Sequence, residues 1–121
     1  MMFEAQTEWI APDNFPNLSG YKFISIDLET RDPDLKSKGS GSVIGNGEII
    51  GVAVAVDGWC KYYPFGHEGG GNLDKKKILS WLKDICATDS TKIFHNAMYD
   101  VCWLRSYGIK VNGHIMDTMV M

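Results

Sequence analysis

Two apolar segments, Glu48 to Val56 and Trp59 to Phe65, are joined by Asp57-Gly58 alone. A two-residue link of that type suits a tight hairpin, and the β-branched Ile49, Ile50, Val52, Val54 and Val56 suit a pleated backbone. The chain is therefore built on a sheet that contains at least this antiparallel pair. Upstream, Tyr21 to Glu29 reads as a further strand with strict parity. Phe23, Ser25, Asp27 and Glu29 share one face, while Ile24, Ile26 and Leu28 share the other. Two carboxylates thus fall on one face at the C-terminal end of a strand.

Between these strands, Arg31 to Gly47 is polar and rich in Gly and Ser, and reads as a long surface loop. Gly66 to Asn72 (GHEGGGN) is a second loop. Leu73 to Ala87 reads as a helix, with Ile78, Leu79, Leu82, Ile85 and Cys86 on one stripe and Asn72 or Asp74 as its cap. Lys92 to His95 is a short strand that runs into Asn96, the expected cap of a helix ending near Tyr107, with Gly108 as its C′ residue. Ile109 to Val111 reads as another strand, and Asp117 as the cap of a helix just begun at Met121. Residues 1–20, with Pro12, Pro16, Asn14, Asn17 and Gly20, read as an irregular leader, and residues 21–121 as one α/β domain whose C-terminal end looks incomplete.

Length and charge narrow the function classes. A chain of 121 residues fits one domain, and at that size roughly 65% of the unfolded surface is buried on folding. No apolar run approaches the ~20 residues that cross a bilayer, so no membrane partner is expected. Met1 to Ile10 carries Glu4 and Glu8 and no basic cluster, unlike a signal peptide. Cys60, Cys86 and Cys102 are three, widely spaced, and read as reduced thiols of an intracellular protein. With a net charge of -3, any nucleic acid must be held by local contacts or by metal ions.

The chemistry-bearing candidates are few. Strands disfavour Asp and Glu, so Asp27-Leu28-Glu29-Thr30 is either a solvated strand end or a hard-cation site, since Mg²⁺ and Mn²⁺ take rigidly held carboxylate oxygens. Asp100 lies one helical turn beyond Asn96, among Met98, Val101, Cys102, Trp103 and Leu104. Alone it fits an exposed Asp on an amphipathic helix as well as it fits a site. Gly39 to Gly45 precedes a strand and does not open a helix after one, as a dinucleotide loop would. Gly66 to Asn72 lacks the Lys-Ser/Thr of a P-loop. His67, His95 and His114 form no short-spaced zinc pair.

Taken together, Asp27-Leu28-Glu29-Thr30, His95-Asn96-x-x-Tyr99-Asp100 and Asp117-Thr118-Met119 resemble the 3′→5′ proofreading exonuclease domain of family A DNA polymerases, a member of the DEDD superfamily. Tyr62-Tyr63-Pro64-Phe65 followed by His67-Glu68-Gly69-Gly70-Gly71-Asn72 is most similar to bacteriophage versions. The resemblance runs from about Tyr21 to Met121. It implies a ribonuclease H-like mixed sheet flanked by helices, and two-metal-ion phosphodiester hydrolysis. Asp27, Glu29 and Asp100 are implied as catalytic ligands of two Mg²⁺ or Mn²⁺ ions, with Asp27 bridging them. Thr30 and Asn96 are implied to touch the terminal nucleotide or its phosphate, and Asp117 is implied as a structural cap.

The implied partners are a single-stranded DNA 3′ end and a polymerase domain, in the cytoplasm of a bacterial cell or a phage-infected host. The family's third motif, a Tyr or His shortly before a final Asp, has no counterpart after Asp100, which implies a domain truncated before it. Two rivals follow. One is a catalytically incomplete fragment that binds nucleic acid or a polymerase, with self-association through its incomplete C-terminal face. The other is an exonuclease acting on RNA 3′ ends.

Overall fold

Gly58 takes φ +82°, the left-handed backbone that a two-residue turn demands. Around it β2 (Glu48–Val56) and β3 (Trp59–Pro64) pair antiparallel, from Val56 opposite Trp59 to Gly51 opposite Pro64. The structure, a computed structural model, describes residues 14–119. β1 (Phe23–Arg31) lies antiparallel along the other edge of β2, with its register shifted between Glu29 and Thr30. β4 (Thr91–Phe94) and β5 (Ile115–Asp117) extend the sheet parallel to β1. The order β3-β2-β1-β4-β5, flanked by helices, is the mixed α/β arrangement of a ribonuclease H-like fold.

The parity of β1 decides which side is packed. Ile24, Ile26 and Leu28 are buried, whereas Phe23, Asp27 and Glu29 are exposed. Helices α3 (Lys75–Ala87) and α4 (Ala97–Ser106) bury Ile78, Leu82, Ile85, Trp103 and Leu104 in the same core as those β1 residues. β1 to β4 and β4 to β5 are parallel steps in the same direction across the sheet, and the right-handed preference of such connections places both helices on one face. The other face, with Ser25, Ala53, Ala55, Cys60 and Ile93, floors an open cleft of about 940 Å³.

Local caps set the helix boundaries. Asp74, not Asn72, caps α3 by accepting the amides of Lys76 and Lys77, a bond pattern worth about 1 kcal/mol. The helix therefore starts two residues after Leu73. At the other end of α4, Gly108 takes φ +76°, and the amides of Gly108 and Ile109 reach back to the carbonyls of Arg105 and Leu104. That is the Schellman closure expected at Gly108.

Three expectations are corrected. Residues 31–47 are not all loop: β1 continues to Arg31, and two single-turn helices follow, α1 (Leu35–Lys38) and α2 (Gly41–Ile44). The strand expected at Ile109 to Val111 lies instead at Ile115–Asp117. Ile109 is consumed by the Schellman closure and buries its side chain in the core. Lys92, fully buried, then pins the following loop, its Nζ donating to the carbonyls of Asn112 and Thr88. Asp117 ends β5 and is followed by a turn at 118–119, so no helix starts at it among the described residues; Val120 and Met121 lie outside them.

Residues 1–13 of the expected leader also lie outside the described residues. Residues 14–20 form no helix or strand, yet Leu18 is buried in the core. The carbonyls of Asn14 and Pro16 accept the Tyr63 hydroxyl and the Trp81 indole N–H at 2.9 and 2.8 Å. All three cysteines are free. Among the described residues no helix is long and apolar enough to cross a membrane.

Candidate active site

Only two residues, His95 and Asn96, connect β4 to α4. The turn is this tight because Asn96 adopts φ +69°, a conformation that costs a non-glycine residue about 1 kcal/mol and that Asn tolerates best. Asn96 occupies the cap position but its side chain makes no capping bond, which corrects the expectation. The carboxylate of Asp117 does that work from β5: it accepts the amide of Asn96 at 2.9 Å, of Ala97 at 2.8 Å and of Met119 at 2.9 Å. These backbone bonds, from Ala97 and Met119 foremost, hold the Asp117 carboxyl below the usual carboxylate range. Asp117 is a cap, as expected, but for α4.

The geometry of that turn aims the first turn of α4 at β1. β1 pairs with β4 only as far as Ser25. Beyond that point the Leu28 amide donates to Oδ2 of Asp100 at 3.3 Å. Asp100 is 4% exposed and sits at the residue between Asp27 and Glu29. Burial, and then the negative charges of Asp27 and Asp117, push its carboxyl up to about 6, against the opposing pull of the Leu28 N–H. Asp27 faces the cleft from the exposed side of β1.

Glu29, on the same exposed face, is engaged by β3. Its Oε2 accepts the Tyr62 hydroxyl at 2.9 Å, and His67 Nε2 lies 2.5 Å from that hydroxyl and 3.9 Å from Glu29 Oε1. Among the described residues, no three His, Cys, Asp or Glu side chains are gathered closely enough to hold a metal ion as they stand. The donor chemistry nevertheless fits a hard divalent cation: the like charges of Asp27 and Asp100 repel one another, and Glu29 projects from the same strand face as Asp27.

Thr30 is tied to the second segment as well. The Tyr99 hydroxyl has one proton, which it donates to Asp32 Oδ2 at 2.7 Å, so the Thr30 hydroxyl, 2.9 Å away, is the donor to Tyr99. Asp32 in turn accepts the Gly41 amide at the start of α2. Asn96 lies at the N-terminus of α4, four residues before Asp100. Thus Asp100 is bound to β1 beside Asp27 and Tyr99 is bound to Thr30, whereas Glu29 is held by Tyr62. The sequence alone assigns no role to Tyr62, His67 or Tyr99. Hairpin parity could have flagged Tyr62, because it lies opposite Ala53, which in turn lies opposite Asp27.

No protein-family model matches the chain. It is 38% identical over 114 residues to a DNA-directed DNA polymerase of Pseudomonas phage M6, a match that covers 86% of this chain and 16% of that polymerase. It is 35% identical over 72 residues to DNA polymerase I of Chloroflexus aurantiacus, which covers 59% of this chain and 8% of the relative. The chain therefore spans less than one-fifth of the length of either polymerase. Over that short region it is homologous to DNA polymerases.

Proposed function

We propose that this chain is the 3′→5′ exonuclease part of a DNA polymerase, removing nucleotides from a DNA 3′ end by metal-dependent hydrolysis. The observation that carries this reading is the Asp100–Leu28 contact, which lays a buried carboxylate between Asp27 and Glu29. The partial homology to DNA polymerases supports it.

In this reading Asp27, Glu29 and Asp100 hold two Mg²⁺ or Mn²⁺ ions. Such a pair, when bound, lowers the pKa of a water and stabilises the leaving oxygen. The chain supplies the rest. Asp100, desolvated and crowded by Asp27, is a poor place for an uncompensated charge, so the site favours cation uptake. Asp117 holds the β4–α4 turn and thereby the height of Asp100 above β1. Thr30 and Asn96 take the terminal nucleotide, and the open cleft beside Asp27 admits the single strand. A polymerase domain of a longer protein delivers that strand, in a bacterial cell or a phage-infected host.

The test is a 5′-labelled single-stranded oligodeoxynucleotide incubated with the chain and Mn²⁺. Shortening from the 3′ end that vanishes in Asp27→Ala is expected. Equal shortening in Asp27→Ala, or a folded wild type that neither binds Mn²⁺ nor cuts, overturns the reading. An oligoribonucleotide of the same sequence distinguishes action on RNA ends.

One observation favours a second reading. Among the described residues no three metal-binding side chains converge. A chain that binds the oligonucleotide but neither takes up Mn²⁺ nor cuts it is a binding fragment, for which the exposed sheet face makes self-association the expected state in light scattering.

A further inference from the structure

We propose that Tyr62 and His67 are positioning residues that fix the carboxylate of Glu29, held in place by a loop built around His67. The inference rests on the metal-site reading above. Tyr62 and Glu29 are not neighbours in the sheet: Glu29 lies opposite Gly51, and Tyr62 opposite Ala53. For the phenol to reach Glu29 it must lie across β2, and Gly51 is what allows this. A Cβ at Gly51 would stand 2.1 Å from the Tyr62 hydroxyl and 2.6 Å from its ring carbon Cζ. The single glycine of the run Ile49 to Val56 therefore marks the path of the tyrosine.

The second half of the device is the loop that follows β3. The His67 amide donates to Asn72 Oδ1 at 2.8 Å, while Asn72 Nδ2 donates to the His67 carbonyl at 2.7 Å. One side chain thus closes both backbone groups of His67. The intervening chain turns back through Gly70 and Gly71, at φ +90° and +73°, which side-chain-bearing residues rarely adopt. From the other side Arg31 donates to the carbonyl of Gly66 at 2.9 Å and pairs with Glu48. A loop needed only to join β3 to α3 has no use for this clamp on one residue.

Donor counting then orders the contacts. Tyr62 has one hydroxyl proton, and Glu29 Oε2 can only accept, so the phenol donates to Glu29. The 2.5 Å contact between His67 Nε2 and the phenol oxygen therefore has Nε2–H as donor. His67 holds Tyr62, and Tyr62 holds Glu29. Outer partners of this kind, which orient a ligating carboxylate, typically change metal affinity ten- to a hundredfold when removed.

The experiment is titration of the chain with Mn²⁺ alone, followed by loss of the free-ion electron paramagnetic resonance signal, beside melting curves without metal. Tyr62→Phe and His67→Ala are expected to weaken binding about tenfold or more, with His67→Gln recovering most of the loss because its amide N–H can still donate. Asp27→Ala is expected to abolish binding. If Asp27→Ala binds like wild type, the metal-site reading fails. If Asp27→Ala abolishes binding while Tyr62→Phe and His67→Ala bind as tightly as wild type or tighter, the positioning role is overturned and the site stands. Equal loss in His67→Ala and His67→Gln overturns the donor role of His67. Should Tyr62→Phe fail to fold, Gly51→Ala gives the same readout, since its methyl displaces the hydroxyl and leaves the phenol present.

Discussion

Oδ1 of Asp117 accepts the amide of Asn96 at 2.9 Å, a bond across 21 residues that fastens β5 to the start of α4. Together with the Ala97 bond it supplies what the Asn96 side chain does not. Asp117→Ala is expected to lower the melting temperature and to speed amide exchange at Asn96, Ala97 and Met119 at pH 7. Because the folded carboxyl is held below its usual value, its contribution is present above the unfolded pKa and is lost as pH falls through the folded one. The gap between wild type and variant should therefore close in acid. Equal exchange at these three amides in both proteins would count against the capping role.

Asp100 has the opposite sign. Burial pushes its carboxyl up to about 6 in the fold from an ordinary value of 3.8, so between those values the folded chain holds the additional proton. Its contribution to stability is full below pH 3.8 and is lost as pH rises through 6. Asp100→Asn keeps an acceptor for the Leu28 amide and removes the charge. It should be more stable than wild type at pH 8 without metal, by up to about 3 kcal/mol, and no more stable near pH 4. Urea unfolding at pH 4, 6 and 8 measures this; a gain that does not change with pH contradicts it.

The order of strands and helices was legible in sequence because parity and turn chemistry are local. Asp57-Gly58 and the alternation of β1 are read without knowing the fold, and both hold in the structure. What failed was set by distant partners. Ile109-Lys110-Val111 alternates like a strand, yet the Schellman closure takes Ile109 and the Lys92 amine holds the chain at Asn112 just beyond. The four-residue helices α1 and α2 carry no period; α2 forms where Asp32 and Ser40 meet the free amides of Gly41 and Ser42, whereas α1 has no side-chain cap. The Asp27-Leu28-Glu29 and Asp100 pattern was visible as residue types, but their approach depends on the Asn96 turn. Tyr62 and His67 were hidden because the path across Gly51 is a property of sheet register.

Lys92 tests the placement of β5. Its fully buried amine donates to the Thr88 and Asn112 carbonyls, one at the end of α3 and one in the loop before β5. Lys92→Met leaves both carbonyls without this donor and should cost about 2 kcal/mol at pH 7. Desolvation lowers the lysine's pKa in the fold, so the wild type gains stability as pH rises from the folded pKa towards the unfolded one. The deficit of Lys92→Met should widen on going from pH 7 to pH 10. A deficit that shrinks over that range refutes this account of the buried amine.

Tyr99 joins the candidate site to the segment after β1. Its hydroxyl donates to Asp32 and accepts from Thr30, while Asp32 holds the Gly41 amide. Tyr99→Phe leaves Asp32 and Thr30 each short of a partner, at a cost of about 1–2 kcal/mol. Asp32→Ala removes the same Tyr99 bond and also frees the Gly41 amide. Because the two substitutions share one hydrogen bond, their costs should add to more than the cost of the double variant. Amide exchange separates them further: Gly41 should exchange faster in Asp32→Ala, whereas in Tyr99→Phe it should stay near the wild-type rate. Strict additivity, with Gly41 equally protected in both, would mean that the Tyr99–Asp32 bond does not couple α4 to α2.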